Sequence, residues 1–348
     1  MKHYAGLDVS MEETSVCVVD EKGTIIREGK VPTDPDAIGG FLSGVGVVLE
    51  RVGLEAGSLT PWLWHDLNEA GFPAICIETR HAKAAMQAQN VKTDRNDARG
   101  IAHMMRTGWF RAVHVKSPQS QKLRVLLGNR RCLLDKRLDL ESRIRGTLKA
   151  FGLKTGKVTT ATYDARIREL TAEDEELALY VEPLLEARRH MLEQFRRLEK
   201  AVLDIVKHDD VSRRLMTIPG VGPLTALAFR TSIDRPERFG KSRNVGVAMG
   251  LTPRKYASGQ IDYDGRITKC GDALARSHLY EAAKVLMSRV TKPSALKTWG
   301  MKIARRSSMK NACVAVARKL AVIMHRMWID GTDFRWVHEP KAAIALAA

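Results

Sequence analysis

Val91-Lys92-Thr93-Asp94-Arg95-Asn96-Asp97-Ala98-Arg99-Gly100 is the stretch on which the reading of this chain turns. Two aspartates stand three residues apart at the start of a segment that reads as a helix, so both carboxylates share one helical face about one turn apart. Lys92, Arg95 and Arg99 surround them. Acids suit the first turn of a helix because of its dipole, and Asp94 is placed to act as a simple N-cap. The other reading makes Asp94 and Asp97 part of an acid cluster completed from elsewhere in the chain. The choice rests on where the remaining carboxylates fall.

Upstream, residues 4–9 predict a short strand carrying Asp8. Residues 14–19 and 24–26 predict two more strands joined by the turn Glu21-Lys22-Gly23, a hairpin. A helix is expected over 36–49, then a strand over 51–55 that ends in Glu55. Leu59, Trp62, Leu63 and Leu67 share one helical face within 58–70. A strand over 72–77 and a helix over 81–89 complete the approach to the opening stretch. Three consecutive strands followed by alternating helix and strand predict a mixed α/β sheet, antiparallel at the hairpin and parallel afterwards. This order resembles the ribonuclease-H-like fold of the RuvC nuclease class, where carboxylates on the first strand, the fourth strand and a later helix converge. Asp8, Glu55, Asp94 and Asp97 occupy those places. Such a cluster suits phosphodiester chemistry, because hard oxygen ligands hold Mg²⁺ and paired metals clamp the attacking and leaving oxygens. Four packed carboxylates also repel one another unless cations join them. Asp20, Glu50 and Glu78 lie near element ends and read as structural.

The chain has 348 residues, 44% hydrophobic and 28% charged, which predicts a globular protein of two or three domains. No run approaches the roughly 18 uncharged apolar residues of a membrane helix, so no membrane partner is expected. Asp8 interrupts any signal-peptide pattern at the N-terminus. Cys17, Cys76, Cys132, Cys270 and Cys313 are odd in number, widely spaced and never in a CxxC pair. That argues against a disulfide framework or a zinc site and for a cytoplasmic protein. The net charge of +17 is unevenly spread. Residues 111–160 hold 13 Lys/Arg against 3 Asp/Glu, and 235–320 hold 19 against 5, whereas 1–110 and 161–234 are net acidic. Two concentrated basic blocks predict dedicated nucleic-acid surfaces, although a charge run can also be a solvated face.

Residues 117–151 predict a long helix bearing Arg124, Arg130, Arg131, Lys136, Arg137 and Arg143, whose basic face is suited to phosphate contacts. A second long helix is expected over 182–206. Together they suggest a coiled-coil hairpin or dimerising bundle, or a plain helical spacer. Residues 152–162 read as a loop. Farther on, Ile218-Pro219-Gly220-Val221-Gly222-Pro223 resembles a helix-hairpin-helix module, in which Gly220 and Gly222 open a turn toward phosphate. Ser258-Gly259 lies in a Gly-rich loop flanked by Arg254, Lys255, Arg266 and Lys269, cations that a serine near phosphate would need. The organisation expected is thus 1–115, an α/β carboxylate domain; 116–208, a helical arm; 209–330, a mainly α domain; and 331–348, a tail.

GLDVS, LEAGS, IETRHAKA, KTDRNDARG, IPGVGPLTA, GLTPRK with its SG, and GRITKCGD occur here in one order. Together they resemble the DEDD transposases of the insertion-sequence one-ten family, related to the Piv invertases, over nearly all of 1–328. The resemblance implies a RuvC-like N-terminal domain, a coiled-coil connection and a C-terminal transposase domain. It implies that Asp8, Glu55, Asp94 and Asp97 hold Mg²⁺, as two ions with Mn²⁺ a substitute, and that Ser258 is the nucleophile of a phosphoserine intermediate. The partners implied are DNA at the element ends and target, a structured non-coding RNA, and further copies in a dimer or tetramer. A metal-dependent junction nuclease that hydrolyses DNA, with Ser258 structural, is the rival reading. A nucleic-acid-binding protein with a decayed nuclease domain is a second rival, disfavoured by four intact acids.

Overall fold

The computed structural model describes residues 1–86 and 93–336. Val91 and Lys92 of the opening stretch, the end of the helix expected over 81–89 and most of the expected tail therefore lie outside the described residues. The chain divides into two units, Met1–Lys116 and the part from Ser117 onward.

The first unit runs β1 (His3–Val9), β2 (Glu13–Asp20), β3 (Ile25–Pro32), α1 (Pro35–Ser43), β4 (Leu49–Glu55), α2 (Thr60–Glu69), β5 (Ala74–Ile77), α3 (Thr79–Met86) and α4 (Asp94–Thr107). Its sheet has the order β3-β2-β1-β4-β5. β1 and β3 are antiparallel to β2, while β4 is parallel to β1 and to β5. This is the expected mixed α/β sheet, and it is compatible with a ribonuclease-H-like fold. Strand alternation sorts the side chains into two cores. Ala5, Leu7, Val16, Val18, Val52 and Leu54 pack with Ile38, Leu42, Leu63 and Leu67 of α1 and α2. On the opposite face Tyr4, Cys17 and Val19 pack with Ala98, Ile101, Ala102 and Met105 of α4. Burying a leucine fully is worth about 1.5–3 kcal/mol, so each face anchors its helices firmly.

Two boundaries differ from expectation. α1 stops at Ser43 rather than running to 49, because Gly44 and Gly46 follow it, the latter at φ +73°, and a left-handed residue ends a helix. β3 extends to Pro32, well past residue 26, because Lys30 and Val31 pair with Ser15 and Thr14 of β2. Tertiary pairing thus adds a polar stretch that strand propensity alone does not mark.

The second unit comprises α5 (Pro118–Ala150), α6 (Tyr163–Thr171), α7 (Glu175–His208), α8 (Asp210–Leu215), α9 (Pro223–Ile233), α10 (Arg243–Ala248), β6 (Pro253–Ser258), β7 (Ile261–Ile267), α11 (Ala273–Ser288), α12 (Ala295–Arg306) and α13 (Met309–Asp330). α5 begins as the sequence predicts, with Ser117 Oγ accepting the Ser120 N–H and Pro118 in the first turn. α7 starts at Glu175, upstream of the expected 182, because Asp174 caps it and Glu175 and Glu176 suit its first turn. Pro183 is carried inside that helix, flanked by the buried residues Val181 and Leu185. α5 lies along α7. At one end of this arm Ile144, Leu148, Tyr163, Ile167, Leu177, Val181 and Leu185 form a separate core with α6. At the other, Leu127, Val202 and Val206 join Ile218, Phe229, Leu279, Val316 and Leu320 in a single larger one. Among the described residues no helix is long and apolar enough to cross a membrane.

Candidate active site

The sheet register places the first two acids. Leu7 pairs with Leu54 across the parallel β1–β4 edge, so the next residues, Asp8 and Glu55, emerge side by side. Leu7 and Leu54 are fully buried toward α1 and α2. Alternation therefore turns Asp8 and Glu55 to the α4 face. Both are half-buried and line one cleft of about 240 Å³ with Ser10, Met11 and the turn Ala56–Thr60. That turn is tied down: Thr60 Oγ1 donates to the Glu55 carbonyl at 2.5 Å and accepts the Gly57 N–H at 2.8 Å.

α4 comes unusually close to this face. A Cβ on Gly6 would lie 2.2 Å from the Ala98 carbonyl oxygen, and one on Gly53 would lie 2.7 Å from Met105 Cγ. Only residues without side chains let the helix rest on the strands. The first turn of α4 carries Asp94 and Asp97, with Thr93 as the N-cap, its Oγ1 accepting the Asn96 N–H at 3.2 Å. The N-cap reading of Asp94 is thus corrected. Thr93 takes the extended conformation a cap needs (φ −145°, ψ 151°), which leaves the Asp94 carboxylate available for other contacts. It accepts a hydrogen bond from Lys30 Nζ at 3.3 Å. Lys30 pairs with Ser15, which pairs with Asp8, so Asp94 is held over the same row of the sheet. Arg95 and Arg99 both bind Glu28 of β3, Arg99 through bonds of 2.8 and 2.9 Å. A two-pronged arginine–carboxylate contact fixes orientation as well as distance. Arg95 and Arg99 therefore dock the helix to the sheet edge.

The neighbouring acids have structural partners. Asp20 accepts N–H groups of Lys22 and Thr24 at 2.9 and 2.8 Å, and the Thr24 backbone bond above all holds its carboxyl below the usual range. Glu78 pairs with Arg80 and Arg111, and Glu50 with Lys2. Burial pushes the Cys76 thiol up to about 11 and raises Cys17 as well, so neither offers a ready thiolate. Among the described residues no three His, Cys, Asp or Glu side chains are grouped so that they could hold a metal ion, so Asp8, Glu55, Asp94 and Asp97 are not drawn into one ligand cluster. Asp8 and Glu55 at the strand ends and Asp94 and Asp97 on α4 offer only carboxylate oxygen, the donor type that suits a hard divalent cation rather than zinc.

Ser258 has a different setting. The Gly-rich loop expected around it is a two-stranded hairpin, β6 paired with β7, in which Ser258 stands opposite Ile261. Gly259 supplies the left-handed φ of +55° at the first turn position. Every residue of β6 is exposed, and among the described residues the Ser258 hydroxyl makes no side-chain hydrogen bond. Lys255 pairs with Asp262 and Asp264. Tyr256 and Tyr263 stack at 4.9 Å between ring centroids. The signal for this hairpin was present as Tyr256, Ser258, Ile261 and Tyr263 at alternate positions around a two-residue turn.

Gly220, at φ +88°, faces α11, where a Cβ would meet the Ala282 carbonyl at 2.6 Å. Gly222 precedes α9 as its N-cap, with open space around it. In the arm, Arg130 and Arg137 are each 8% exposed and bound to Glu199 and Glu141. Arg124 pairs with Asp272, and Arg131 with Asp135. Lys136 and Arg143 are exposed. Sequence reasoning missed Arg188, which is 1% exposed and binds Glu141 at 2.8 Å, Asp164 at 2.6 Å and the Thr160 carbonyl at 3.0 Å.

Residues 5–152 match the DEDD transposase family profile of the IS110 group, described as a transposase. Residues 212–299 match the profile described as transposase IS116/IS110/IS902 family. The chain is 29% identical to the transposase for insertion sequence element IS1111A of Coxiella burnetii, over 92% of this chain and 87% of that one. It is 29% identical to the transposase for insertion sequence element IS1328 of Yersinia enterocolitica, over 81% and 85%. It is 28% identical to a probable family 20 transposase of Pseudomonas aeruginosa, over 82% and 85%.

Proposed function

Since the chain belongs to the IS116/IS110/IS902 family of transposases, enzymes of DNA transposition, we propose that it cuts and rejoins DNA strands with a carboxylate-held divalent metal and Ser258 as nucleophile. The observation that supports this reading is that Asp8 and Glu55 follow the paired Leu7 and Leu54 at adjacent strand ends and line one cleft, on the face of the sheet against which α4 packs with Asp94 and Asp97 in its first turn. These four residues would hold Mg²⁺, as two ions with Mn²⁺ a substitute. When bound, the metal supplies Lewis-acid charge to the scissile phosphate. Lys30 beside Asp94 offsets part of the repulsion among the acids.

Ser258 Oγ attacks the phosphorus and gives up its proton. A phosphoserine ester forms as the bond to one DNA oxygen breaks, and that oxygen leaves protonated. A DNA hydroxyl then attacks the same phosphorus, restores a phosphodiester and returns Ser258 with its proton. No water enters and the phosphodiester count is conserved. The hairpin's own carboxylates, Asp262 and Asp264, are engaged by Lys255 on the face opposite Ser258, so the acceptor for the serine proton comes with the assembled substrate complex. The DNA partners are the element ends and the target, with a structured non-coding RNA supplying sequence choice. The α5–α7 arm, as a coiled coil, joins copies into a dimer or tetramer, and the Gly220–Gly222 turn acts as a helix-hairpin-helix contact to phosphate.

The test is to incubate the protein with Mg²⁺, cognate RNA and labelled junction DNA and to look for a covalent adduct on a denaturing gel. An adduct that disappears in both Ser258→Ala and Asp8→Asn is the expected result. Cleavage without an adduct, unchanged by Ser258→Ala, would replace this reading with hydrolysis by a junction nuclease.

A further inference from the structure

The β6–β7 hairpin has two unlike faces. Period-two alternation puts Tyr256 and Ser258 on one side of β6, and the register adds their partners Tyr263 and Ile261 to the same side. On the other side Lys255 is neutralised by Asp262 and Asp264. The tyrosine rings stack nearly parallel, with an interplanar angle of 19°. Gly265 leaves room for this arrangement, since a Cβ there would meet the Tyr256 ring at 2.9 Å. Stacking between themselves covers only part of the rings: Tyr256 stays 44% exposed, Tyr263 56% and Ile261 58%. An exposed, pre-stacked aromatic pair beside a nucleophile is an expensive surface to keep in water unless something covers it.

The charges around it favour one kind of partner. Arg254 opens β6, Arg266 lies near the end of β7 and Lys269 follows, in a block of 19 Lys/Arg against 5 Asp/Glu. Among the described residues none of these three is paired with an acid. Cations around an open aromatic face complement a polyanion whose bases are flat π-systems, the combination used for unpaired nucleotides. An apolar protein partner would not call for the cations.

Building on the reading of Ser258 as nucleophile, we propose that Tyr256 and Tyr263 are positioning residues that stack on an unpaired DNA base next to the phosphate Ser258 attacks. A base unstacked from its neighbours lies over the rings, and the backbone at that nucleotide is brought to the serine two residues along the strand. Stacking of this kind tolerates any base, so the tyrosines set where the strand is opened rather than which sequence is chosen.

The test uses the full chain in a Ser258→Ala background, so that no chemistry intervenes, with a thymidine oligonucleotide carrying one central 2-aminopurine. Binding is expected to quench the 2-aminopurine fluorescence. Tyr263→Leu, which keeps apolar bulk but no π-face, should lose the quench and weaken binding roughly ten-fold. Tyr263→Trp should keep both, which also shows that the hairpin still folds. A quench unchanged in Tyr263→Leu and Tyr256→Leu overturns the proposal. So does a shift in oligomer mass with those variants in the absence of DNA, since it would assign the face to a second copy of the chain. The adduct assay on unsubstituted protein reads the serine separately. An adduct without a tyrosine-dependent quench refutes the stacking alone, and a quench without an adduct refutes the nucleophile alone.

Discussion

The helical arm and the segment 235–320 are both strongly basic, yet they use their cations differently. In the arm Arg130 binds Glu199 and lies 4.6 Å from the centre of the Phe195 ring, Arg137 binds Glu141, and Arg188 lies buried between Glu141 and Asp164. The acids come from α5 itself (Asp135 and Glu141), from α6 (Asp164) and from α7 (Glu199), so folding the arm engages several of its cations internally. In the later segment Lys302, Arg305, Arg306 and Lys310 are exposed and, among the described residues, have no acid partner. Lys302 and Arg305 line an open cleft with Thr298 and Met301. A basic run in sequence becomes a basic surface only where the fold brings no acids to it.

This contrast can be broken most sharply at Arg188. Arg188→Ala leaves Glu141 and Asp164 charged without their shared partner and should cost about 3–5 kcal/mol, read as a lower denaturant midpoint, with no direct effect on the phosphate contacts of the later segment. Arg130→Gln is expected to cost about 1–3 kcal/mol by stranding the Glu199 pair, while the salt dependence of DNA binding stays the same. The converse holds for Lys302→Gln and Arg305→Gln. Each should leave stability within about 0.5 kcal/mol and lower the slope of log affinity against log salt by about one. A slope unmoved by these two and lowered by Arg130→Gln would invert the comparison. The smallest effect concerns pH. Hydrogen bonds from Arg168 at 3.0 and 2.5 Å hold the Glu182 carboxyl below its usual range. Its contribution to stability is complete above the ordinary glutamate value and fades as pH falls through the lowered one. Both partners are substantially exposed, so the slope is shallow, and Arg168→Gln should flatten it in unfolding curves taken from pH 6 downward.

The sheet was legible because its strands are short apolar runs punctuated by Gly and acids, and the parallel register then put Asp8 and Glu55 together without further information. What stayed hidden depends on contacts between distant residues. Lys30 reaches Asp94 only because β3 is longer than its apolar run. Thr93 rather than Asp94 caps α4 because backbone angles, which sequence does not display, decide the cap. Arg188 looks like any other basic residue of an amphipathic helix until three segments close around it. The hairpin bearing Ser258 read as a loop because β6 is wholly and β7 mostly exposed, and the alternation of Tyr256, Ser258, Ile261 and Tyr263 is outweighed by the surrounding glycine and charge.

One consequence follows from the bare strands beneath α4. The separation between the helix and the sheet is set where Gly6 meets Ala98 and Gly53 meets Met105, with Gly6 and Gly53 two residues before Asp8 and Glu55 on their strands and Ala98 next to Asp97 on α4. Those glycines act as a gauge block: they carry no side chain to donate or accept, yet they fix how high α4, with Asp94 and Asp97 in its first turn, rides above the sheet. A single methyl group at Gly6 would leave every acid on its own element and still push α4 off β1, because the Ala98 carbonyl and the Ala102 nitrogen stand where it would go.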